Sequence, residues 1–344
     1  MNVGIIGYGA YIPSGRITVE TIATAWEKEG TSIKANLGIE AKSVPNKDED
    51  SATIAIEATK NSLLRAQIDQ TKIGAVYVGS ESHPYAVKPT ATIVGDVIGI
   101  GNNYTAADME FACKAGTAAI QAALGLVASN ITTYGLAIGT DTAQAKPGDI
   151  LEYSAAAGGA AFILGRKSDE CVANIEHTLS YSSDTPDFWR RNQQPYPEHA
   201  NRFTGVPAYF EHVSTTIKMV LKKTAATIQD FDFVILHQPN SKFPLAIAKK
   251  FGITKEQIMP SLLVESIGNT YSASSPLSLT AVPDRAKPNQ RILLVSYGSG
   301  SGCDAFIFKT TALLEKKQAL AKKTKDYISN KNFLSYEQYK RQTS

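Results

Sequence analysis

Apolar and polar positions along the first 166 residues follow two different periods. Short apolar runs at positions 3–10, 73–79, 134–139 and 158–165 have the length and composition of buried β-strands. Between them, residues 18–28 and 52–66 place apolar side chains every three or four positions, as an amphipathic helix does. This alternation predicts an α/β domain.

The same alternation returns in the second half of the chain. Residues 209–223 have the pattern of a helix, and residues 232–236 that of a buried strand. Residues 180–205 separate these elements from the first half and are polar, with many Pro, Asp, Arg and Asn residues. A connection of this length is uncommon unless it serves a function, so we expect it to lie over a site.

A helix made almost wholly of small and aliphatic residues is predicted directly after Cys113, up to residue 128. A helix with so little polar surface should lie buried between the layers of the fold. Its first turn carries unpaired N–H groups and the positive end of the helix dipole, which would bias a thiol toward thiolate. Cys113 is therefore a candidate nucleophile, although an isolated cysteine more often packs as a small hydrophobe.

The order of features in the first half is repeated in the second. One strand delivers Glu81 and the other His237, and a small-residue segment follows each; Glu81 precedes Cys113 by 32 positions (113 − 81), as His237 precedes Asn269 (269 − 237). The segment AFIL at 161–164 is echoed by AFIF at 305–308. We therefore predict an internal duplication, with an N-terminal half at residues 1–166, a C-terminal half at 167–310 and a basic tail at 311–344.

Such a duplication would bring four polar side chains together. Ligands of α/β folds bind at the carboxyl ends of the strands, and two related halves packed about a pseudo-twofold axis would place these ends side by side. The side chains are those of Glu81, Cys113, His237 and Asn269. Taken singly, a Glu or His at a strand end more often caps a loop, but the repeated positions favour a shared site.

Composition excludes several classes of protein. The 344 residues suit two domains, and a net charge of +3 is too small for a nucleic-acid-binding protein. The three cysteines include no CxxC pair and the five histidines show no ligand spacing, so we expect neither a disulfide framework nor a metal site. Residues 4–13 lack the glycine pattern of a dinucleotide-binding loop. With no secretory signal and no apolar run of membrane-spanning length, we expect a cytoplasmic protein without a membrane partner.

With these residues in hand, the chain resembles the thiolase superfamily of condensing enzymes, and within it the archaeal type of 3-hydroxy-3-methylglutaryl-CoA synthase. The resemblance extends over nearly the whole chain and is carried by residues 7–13, 78–89, 110–116, 185–191, 237–240, 268–272 and 296–300. It implies a duplicated, five-layered α/β/α/β/α thiolase-like fold. The Cys, His and Asn mark only the superfamily, whereas Glu81 favours the synthase.

The resemblance also implies the chemistry. Cys113 would carry an acetyl group taken from acetyl-CoA, and Glu81 would remove a proton from its methyl group so that it adds to acetoacetyl-CoA. His237 would protonate the new alkoxide, Asn269 would orient His237 or the acceptor, and water would release the product. Backbone N–H groups of Cys113 and of residues 298–300 would form the oxyanion hole.

Substrate-binding residues follow from the same resemblance. Ser154, Thr204 and Ser299 would line the acyl pocket, while Lys242 and Arg202 would meet the phosphates of coenzyme A. For each of these five, a solvated or locally bonded polar side chain is an equal alternative. Ala246 stands where many relatives have arginine, which puts a ligand contact there in doubt. No cofactor is expected beyond the coenzyme A thioesters themselves.

Two further features of the resemblance concern partners. With this fold we expect a homodimer as the smallest assembly, and the archaeal members of the family form a complex with acetoacetyl-CoA thiolase and a small zinc-binding OB-fold protein. The basic tail after Lys309 is predicted to be a solvated helix with an aromatic anchor at 332–336, and the alternative is a partner-docking segment. Two other functions stay open: a ketoacyl-carrier-protein synthase III-like enzyme, and a non-catalytic acyl-CoA-binding scaffold.

Overall fold

The computed structural model describes residues 1–166 and 170–343. Its strands are β1 Val3–Tyr11, β2 Gly15–Thr18, β3 Ala41–Val44, β4 Ile73–Gly79, β5 Thr105–Met109, β6 Tyr134–Thr142, β7 Ala157–Arg166, β8 Ala173–Ser182, β9 Phe188–Trp189, β10 Glu198–His199, β11 Phe233–Leu236, β12 Arg291–Val295, β13 Gly302–Thr310 and β14 Asn332–Phe333. Its helices are α1 Val19–Ala25, α2 Gly30–Leu37, α3 Ser51–Ala66, α4 Thr90–Val97, α5 Ala115–Ala128, α6 Phe210–Thr224, α7 Lys242–Phe251, α8 Lys255–Ile258, α9 Val264–Ile267, α10 Ser274–Ala281, α11 Leu314–Gln318, α12 Thr324–Ser329 and α13 Tyr336–Thr343. The predicted start of the C-terminal half, residue 167, lies outside the described residues.

The order of strands repeats between the two halves. In the first half, β1, β7, β6 and β4 are neighbours, joined by two antiparallel contacts and then a parallel one. In the second half, β8, β13, β12 and β11 are joined in the same way. β5 adds a parallel strand to the first set, without a counterpart among the described strands of the second. Because strand order and direction both repeat, the internal duplication predicted from the sequence is confirmed.

Three hydrophobic clusters separate the layers of the fold. The central cluster joins α5 and α10 to the inner faces of both strand sets. A second cluster lies between the first strand set and α3 and α4, and a third between the second set and α6 and α7. Along β12, Ile292 and Leu294 face the central cluster while Leu293 and Val295 face the outer one, which is the period of a strand buried on both faces. The layers therefore run helix, strand, helix, strand, helix, as predicted.

The chain makes a tight turn before each central helix. α5 begins at Ala115 rather than at Cys113, because a 3₁₀ turn at Ala112–Lys114 precedes it; a similar turn at Tyr271–Ala273 precedes α10. The first residue of each turn has a positive φ, 40° at Ala112 and 49° at Tyr271, a conformation that side chains disfavour. The matching turns make Ser272, and not Asn269, the counterpart of Cys113.

The strand register corrects the second predicted correspondence. If the paired residues are followed outward from the shared AFI segments of β7 and β13, Leu236 occupies the position of Val78. His237 is therefore the counterpart of Gly79, two residues before Glu81. The equal spacing of 32 positions therefore matched Glu81 with His237 and Cys113 with Asn269, which are not equivalent in the structure. The duplication that this spacing suggested is nevertheless present.

The C-terminal segment, residues 311–343, packs on the N-terminal half. β14 pairs in parallel with β2, and Tyr327 and Tyr339 are buried at 8% and 7% exposure. Phe333, inside the predicted aromatic anchor at 332–336, is 59% exposed. Leu334 and Tyr336 of the same stretch are partly buried against the cluster of α1 and β3, and the Tyr336 hydroxyl donates to Glu152 Oε1 at 2.9 Å. The predicted anchor is therefore confirmed, with Tyr336 and not Phe333 as its aromatic contact.

Arg65 holds this segment to the core. Its side chain is 1% exposed and donates to Tyr8 O at 3.0 Å and to Asp284 Oδ1 at 3.3 Å. It also donates to three carbonyl oxygens at and just after the end of α11. Those carbonyls belong to Gln318, Ala321 and Lys322. One buried guanidinium therefore ties α3, β1 and the C-terminal segment together.

Replacing Arg65 with methionine should lower the free energy of unfolding by about 3–5 kcal/mol, because Asp284 would be left as a buried charge without its cation. Equilibrium urea denaturation measures this change. Lys60→Met, on the same helix, is the matched control, since Lys60 forms an exposed pair with Glu57 at 2.7 Å and should change stability by less than about 1 kcal/mol. Equal losses in both variants would contradict the role given to Arg65.

Candidate active site

The N-terminus of α5 lies directly against the end of β4. A Cβ atom on Gly79 would stand 2.2 Å from the carbonyl carbon of Ala115, so only glycine permits this approach. Glu81 follows β4 by two residues, and Cys113 lies in the 3₁₀ turn before α5. The close approach therefore brings the Cys113 turn beside the Glu81 segment.

Asp141, near the end of β6, holds the Glu81 segment in place. Its Oδ1 accepts hydrogen bonds from Ser80 Oγ at 2.7 Å, from the Glu81 backbone N–H at 2.9 Å and from Ser82 Oγ at 2.7 Å. Its Oδ2 accepts from the backbone N–H of Ser272 at 2.8 Å. This fully buried carboxylate thus couples the Glu81 segment of the first half to the turn of the second half that corresponds to Cys113.

The Cys113 side chain is 7% exposed and packs against Ala155 and Tyr271. The side chain of Asn269 hydrogen-bonds to its sulfur. Asn269 is itself held by the backbone, since its N–H donates to Ser154 O at 2.8 Å and its carbonyl accepts from Ala156 N at 2.9 Å. The structure therefore brings Cys113, Asn269 and the backbone of Ser154 together.

The predicted bias of Cys113 toward thiolate is wrong for the unliganded protein. Burial raises the pKa of this thiol well above its usual value, and the charges of Glu81 and Asp141 raise it further. The hydrogen bond from Asn269 lowers it, and Asp187 adds a smaller increase. Cys113 is thus a thiol at neutral pH, because low solvation and neighbouring carboxylates outweigh the helix terminus.

Replacing Glu81 with glutamine should therefore lower the pKa of Cys113. Because the thiolate is the form that reacts, iodoacetamide should alkylate Cys113 faster at mildly alkaline pH in Glu81→Gln than in the wild type. Rates across a pH series, read from the Cys113 peptide by mass spectrometry, give the two profiles, and the Cys303 peptide serves as the internal control. Identical profiles would mean that the Glu81 charge does not reach the sulfur.

Glu81 is half-buried, and its own pKa is raised well above the usual value, first by desolvation and then by the charge of Asp141. Arg190 acts in the opposite direction. Its guanidinium donates to the carbonyl oxygen of Glu81 at 3.0 Å and to Gln144 Oε1 at 2.8 Å. A carboxyl group with a raised pKa in a cavity has the properties of a general base or acid.

His237 follows β11 and is 1% exposed. Its ring lies between two tyrosines, with centroids 6.5 Å from Tyr209 and 6.2 Å from Tyr297, and its Nδ1 has no hydrogen-bond partner among the described residues. Burial lowers the pKa of His237 to about 3. The imidazole is therefore neutral at neutral pH, with one ring nitrogen left to accept a proton or to meet a ligand.

A cavity of about 260 Å³ opens beside Glu81. The residues just before Cys113 form part of its wall, and the rest comes from the long connection after β8 and from the turn at 298–302; the lining residues are Glu81, Ser82, Glu110, Phe111, Ala112, Gln144, Phe188, Trp189, Arg190, Pro197 and Ser299. A second cavity, of about 610 Å³, shares Gln144 and Arg190 with the first. The prediction that residues 180–205 cover a site is consistent with this lining.

Asp187 anchors that connection to the turn at 298–302. Its carboxylate accepts hydrogen bonds from the Tyr297 hydroxyl at 2.6 Å and from the Gly300 N–H at 2.7 Å. Its backbone carbonyl accepts from Thr204 Oγ1 at 3.1 Å. Thr204 therefore supports the connection, whereas Ser299 lines the cavity.

Two of the backbone N–H groups predicted for the oxyanion hole are already hydrogen-bonded within the protein. In the turn at 298–302, the N–H of Gly298 donates to Gly302 O at 2.8 Å and that of Gly300 to Asp187. Of the three N–H groups that the sequence suggested there, the one of Ser299 is left for a ligand within the described residues.

The two cations predicted for coenzyme A are surface residues. Lys242 is the first residue of α7 and Arg202 lies in a turn before α6, and both are exposed. Ala246, one helical turn after Lys242, is exposed on the same side of α7. Neither cation lines the two cavities described above.

Three residues of the site were missed from the sequence: Asp141, Asp187 and Arg190. Asp187 and Arg190 belong to the segment 185–191 that carries part of the family resemblance, and Asp141 comes two positions after the predicted strand at 134–139. An acidic residue at a strand end was the signal used for Glu81, and the same signal would have indicated Asp141.

Residues 1–166 and 170–343 lack both a membrane-spanning helix and a cluster of metal-binding side chains. None of the helices there is both long enough and apolar enough to cross a bilayer. No group of three or more His, Cys, Asp and Glu side chains in these ranges could hold a metal ion.

Solved structures share this fold. A structure described as HMG-CoA synthase complexed with CoA superposes with a TM-score of 0.89 at 24% identity, covering 99% of this chain and 90% of the other. The 3-oxoacyl-(acyl carrier protein) synthase III of Pseudomonas aeruginosa superposes with a TM-score of 0.82 at 18% identity, over 90% of this chain and 99% of the other. The family profile of the 3-oxoacyl-[acyl-carrier-protein] synthase III C-terminal region matches residues 221–310. These likenesses confirm the predicted thiolase-like fold.

Sequence relatives decide between the families that share it. The hydroxymethylglutaryl-CoA synthase of Methanopyrus kandleri is 56% identical over 338 residues, which are 98% of this chain and 96% of the relative. That of Archaeoglobus fulgidus is 56% identical over 313 residues, 91% of this chain and 90% of the relative. With more than half of its residues identical along nearly its whole length, the chain belongs to the hydroxymethylglutaryl-CoA synthase family that its motifs predicted.

Proposed function

We propose that this protein condenses acetyl-CoA with acetoacetyl-CoA and water to give 3-hydroxy-3-methylglutaryl-CoA and free coenzyme A. The observation that carries the proposal is the juxtaposition of Cys113 and Glu81, whose carboxylate is close enough to raise the pKa of the thiol. Glu81, the base for the methyl protons, lines the smaller cavity, and so does Ala112, the residue directly before the nucleophile Cys113.

In the first step, the Cys113 sulfur attacks the thioester carbon of acetyl-CoA. The bond from that carbon to the coenzyme A sulfur breaks, and the thiol proton leaves with coenzyme A. Because Cys113 is a thiol before substrate binds, a base must take this proton transiently. The neutral imidazole of His237, with an unpartnered Nδ1, is our choice for that base.

In the second step, Glu81 removes a proton from the methyl group of acetyl-Cys113, and the carbanion adds to the ketone of acetoacetyl-CoA. The proton that Glu81 removed passes through His237 to the alkoxide, so that Glu81 returns to a carboxylate and His237 to a neutral imidazole. Asn269, hydrogen-bonded to the sulfur, positions the thioester for enolisation. The N–H groups of Cys113 and Ser299 would stabilise the oxygen of the thioester.

In the last step, water attacks the thioester carbon that is still attached to Cys113. The carbon–sulfur bond breaks, the thiol is restored, and the former acetyl carbonyl becomes a free carboxylate. The product remains a thioester of the coenzyme A that entered with acetoacetyl-CoA. No cofactor takes part in these steps beyond the coenzyme A thioesters.

For substrate binding, we keep Ser154, Thr204 and Ser299 for the acyl groups and Arg202 and Lys242 for coenzyme A phosphates. Ser154 is supported by its backbone contact with Asn269, and Ser299 by its position in the cavity lining. Exposure of Arg202 and Lys242 suits contacts with a phosphate that stays at the protein surface. The homodimer, the cytoplasmic location and the complex with acetoacetyl-CoA thiolase and a zinc-binding OB-fold protein stay predictions.

The test of the function offers the purified protein two pairs of substrates. Acetyl-CoA plus acetoacetyl-CoA should give 3-hydroxy-3-methylglutaryl-CoA, whereas acetyl-CoA plus malonyl-carrier protein should give no product. Product from the second pair alone would favour the ketoacyl-carrier-protein synthase alternative. Intact-mass spectrometry after incubation with acetyl-CoA should show one acetyl group on Cys113, and its absence while coenzyme A still binds would favour a scaffold.

A further inference from the structure

Charge is unevenly distributed over the wall of the smaller cavity. Two carboxyl groups, of Glu81 and Glu110, line it, and Arg190 is the one cation among the described residues of this lining. Arg190 also lines the larger cavity, so its guanidinium stands on the ridge between the two. A new anion formed in the smaller cavity would therefore meet two acids and one arginine.

The cation nearest to Cys113 along the chain is already in use. Lys114 is 5% exposed, and its Nζ contacts both carboxylate oxygens of Asp304 at 3.1 Å. It also lies over the Phe111 ring, 4.3 Å from the centroid. Lys114 is therefore held in a buried ion pair and cannot turn toward the cavity without leaving Asp304 unpaired.

Arg190, in contrast, has donor capacity left. A guanidinium carries five N–H donors, and the described contacts of Arg190 are the two to Glu81 O and Gln144 Oε1, both neutral acceptors. The side chain is exposed and lines the cavity, and neither of its two contacts is to a carboxylate. A planar guanidinium with unused N–H groups suits a carboxylate, which it can bind through two parallel hydrogen bonds.

We propose that Arg190 forms a subsite for the free carboxylate of the product, the group released when water cleaves the acyl-Cys113 thioester. This proposal rests on the proposed function, because only that reaction creates a carboxylate at the sulfur of Cys113. Hydrolysis breaks the carbon–sulfur bond and forms a carbon–oxygen bond; one proton of the water restores the thiol, the other leaves to solvent, and a negative charge remains beside Glu81 and Glu110. Pairing with Arg190 offsets that repulsion and favours the hydrolysed product over the thioester.

A phosphate of coenzyme A is the competing anion for Arg190. Arg190 contacts the backbone of Glu81, the residue beside the reacting acyl group, whereas the pantetheine arm keeps the phosphates of coenzyme A far from its thioester carbon. The position therefore favours a carboxylate on the acyl end of the ligand. The experiment below separates these two anions.

The test compares two ligands that differ in the acyl carboxylate. Dissociation constants of 3-hydroxy-3-methylglutaryl-CoA and of free coenzyme A are measured by calorimetry with Arg190→Gln, Arg190→Lys and Arg191→Gln, each in a Cys113→Ser background that prevents acyl transfer to sulfur. Arg191 is the matched control, since it is the exposed neighbouring arginine and lines neither cavity. Arg190→Gln should weaken binding of the carboxylate ligand about tenfold and leave coenzyme A unchanged. Arg190→Lys keeps the charge but not the two parallel N–H groups, so its affinity should lie between those of Arg190→Gln and the parent. Arg191→Gln should match the parent.

Each other outcome overturns the subsite. If the dissociation constant of 3-hydroxy-3-methylglutaryl-CoA is unchanged in Arg190→Gln, Arg190 does not contact the carboxylate. If both ligands bind equally more weakly, Arg190 contacts coenzyme A or supports the loop structure. Since binding is measured without turnover, these results do not depend on whether condensation occurs. Failure of the proposed function is seen separately, as the absence of acetyl-Cys113 in the wild-type protein.

Discussion

Cys113→Ala should lose both acetylation and overall condensation, while keeping affinity for acetoacetyl-CoA. The thiol is the atom that would hold the acetyl group, and no other cysteine of the described chain lies beside Glu81. Removal of a covalent nucleophile leaves only binding and electrostatic effects, so we expect overall turnover to fall by on the order of 10⁴ or more. Product formation is followed by chromatography, and acetylation by the mass of the intact protein.

Cys303→Ala is the matched control for this experiment. Cys303 is fully buried in the cluster under α6, and alanine there removes a small group from the core while Cys113 and Glu81 stay unchanged. It should cost stability but keep acetylation. If Cys113→Ala still became acetylated by acetyl-CoA, another residue would be the acyl carrier.

Glu81→Gln should separate the two half-reactions. Glutamine keeps the backbone N–H that donates to Asp141 and nearly the same volume, but it cannot take a proton. The variant should form acetyl-Cys113 from acetyl-CoA, yet condense about 10²–10⁴ times more slowly, because that range is what a positioned general base contributes. Acetylation and condensation must therefore be measured as separate steps on the same preparation.

Glu110→Gln is the comparison for Glu81→Gln, since Glu110 also lines the cavity. If the effect arises from the base and not from the loss of a negative charge, the Glu110 variant should lose less than about tenfold, well below the loss of a general base. Near-wild-type condensation by Glu81→Gln would reduce Glu81 to a residue that ends a strand, and the choice of the synthase over its relatives would lose its chemical basis.

Much of the fold could be predicted because its elements are marked locally. β4 begins and ends at the predicted residues, Ile73 and Gly79, and α3 begins one residue before the predicted start. Strands buried on both faces are apolar throughout, and amphipathic helices repeat every three or four residues, so each period is visible in the chain itself. The repeated order of elements was visible for the same reason.

The finer errors have one cause, which is that local patterns do not report contacts between distant segments. The predicted helix at 18–28 ends at Ala25, and α5 starts two residues after Cys113, at Ala115, where its backbone packs closely against Gly79. The predicted anchor of the tail contacts the core through Tyr336, but the burial of Tyr327 and Tyr339 was missed because it depends on surfaces offered by residues far away in the chain.

Residue types at strand ends determined the candidate chemistry: the sequence alone selected Cys113, Glu81, His237 and Asn269. Tertiary structure decided their state. The thiol of Cys113 is protonated because burial and the carboxylates of Glu81 and Asp141 oppose its ionisation, and His237 is neutral because it is buried between two tyrosines. Arg190 reaches Glu81 from 109 positions away. A chain pattern names the groups that can react, but solvation and charge depend on three-dimensional neighbours, and these set which form of each group is present.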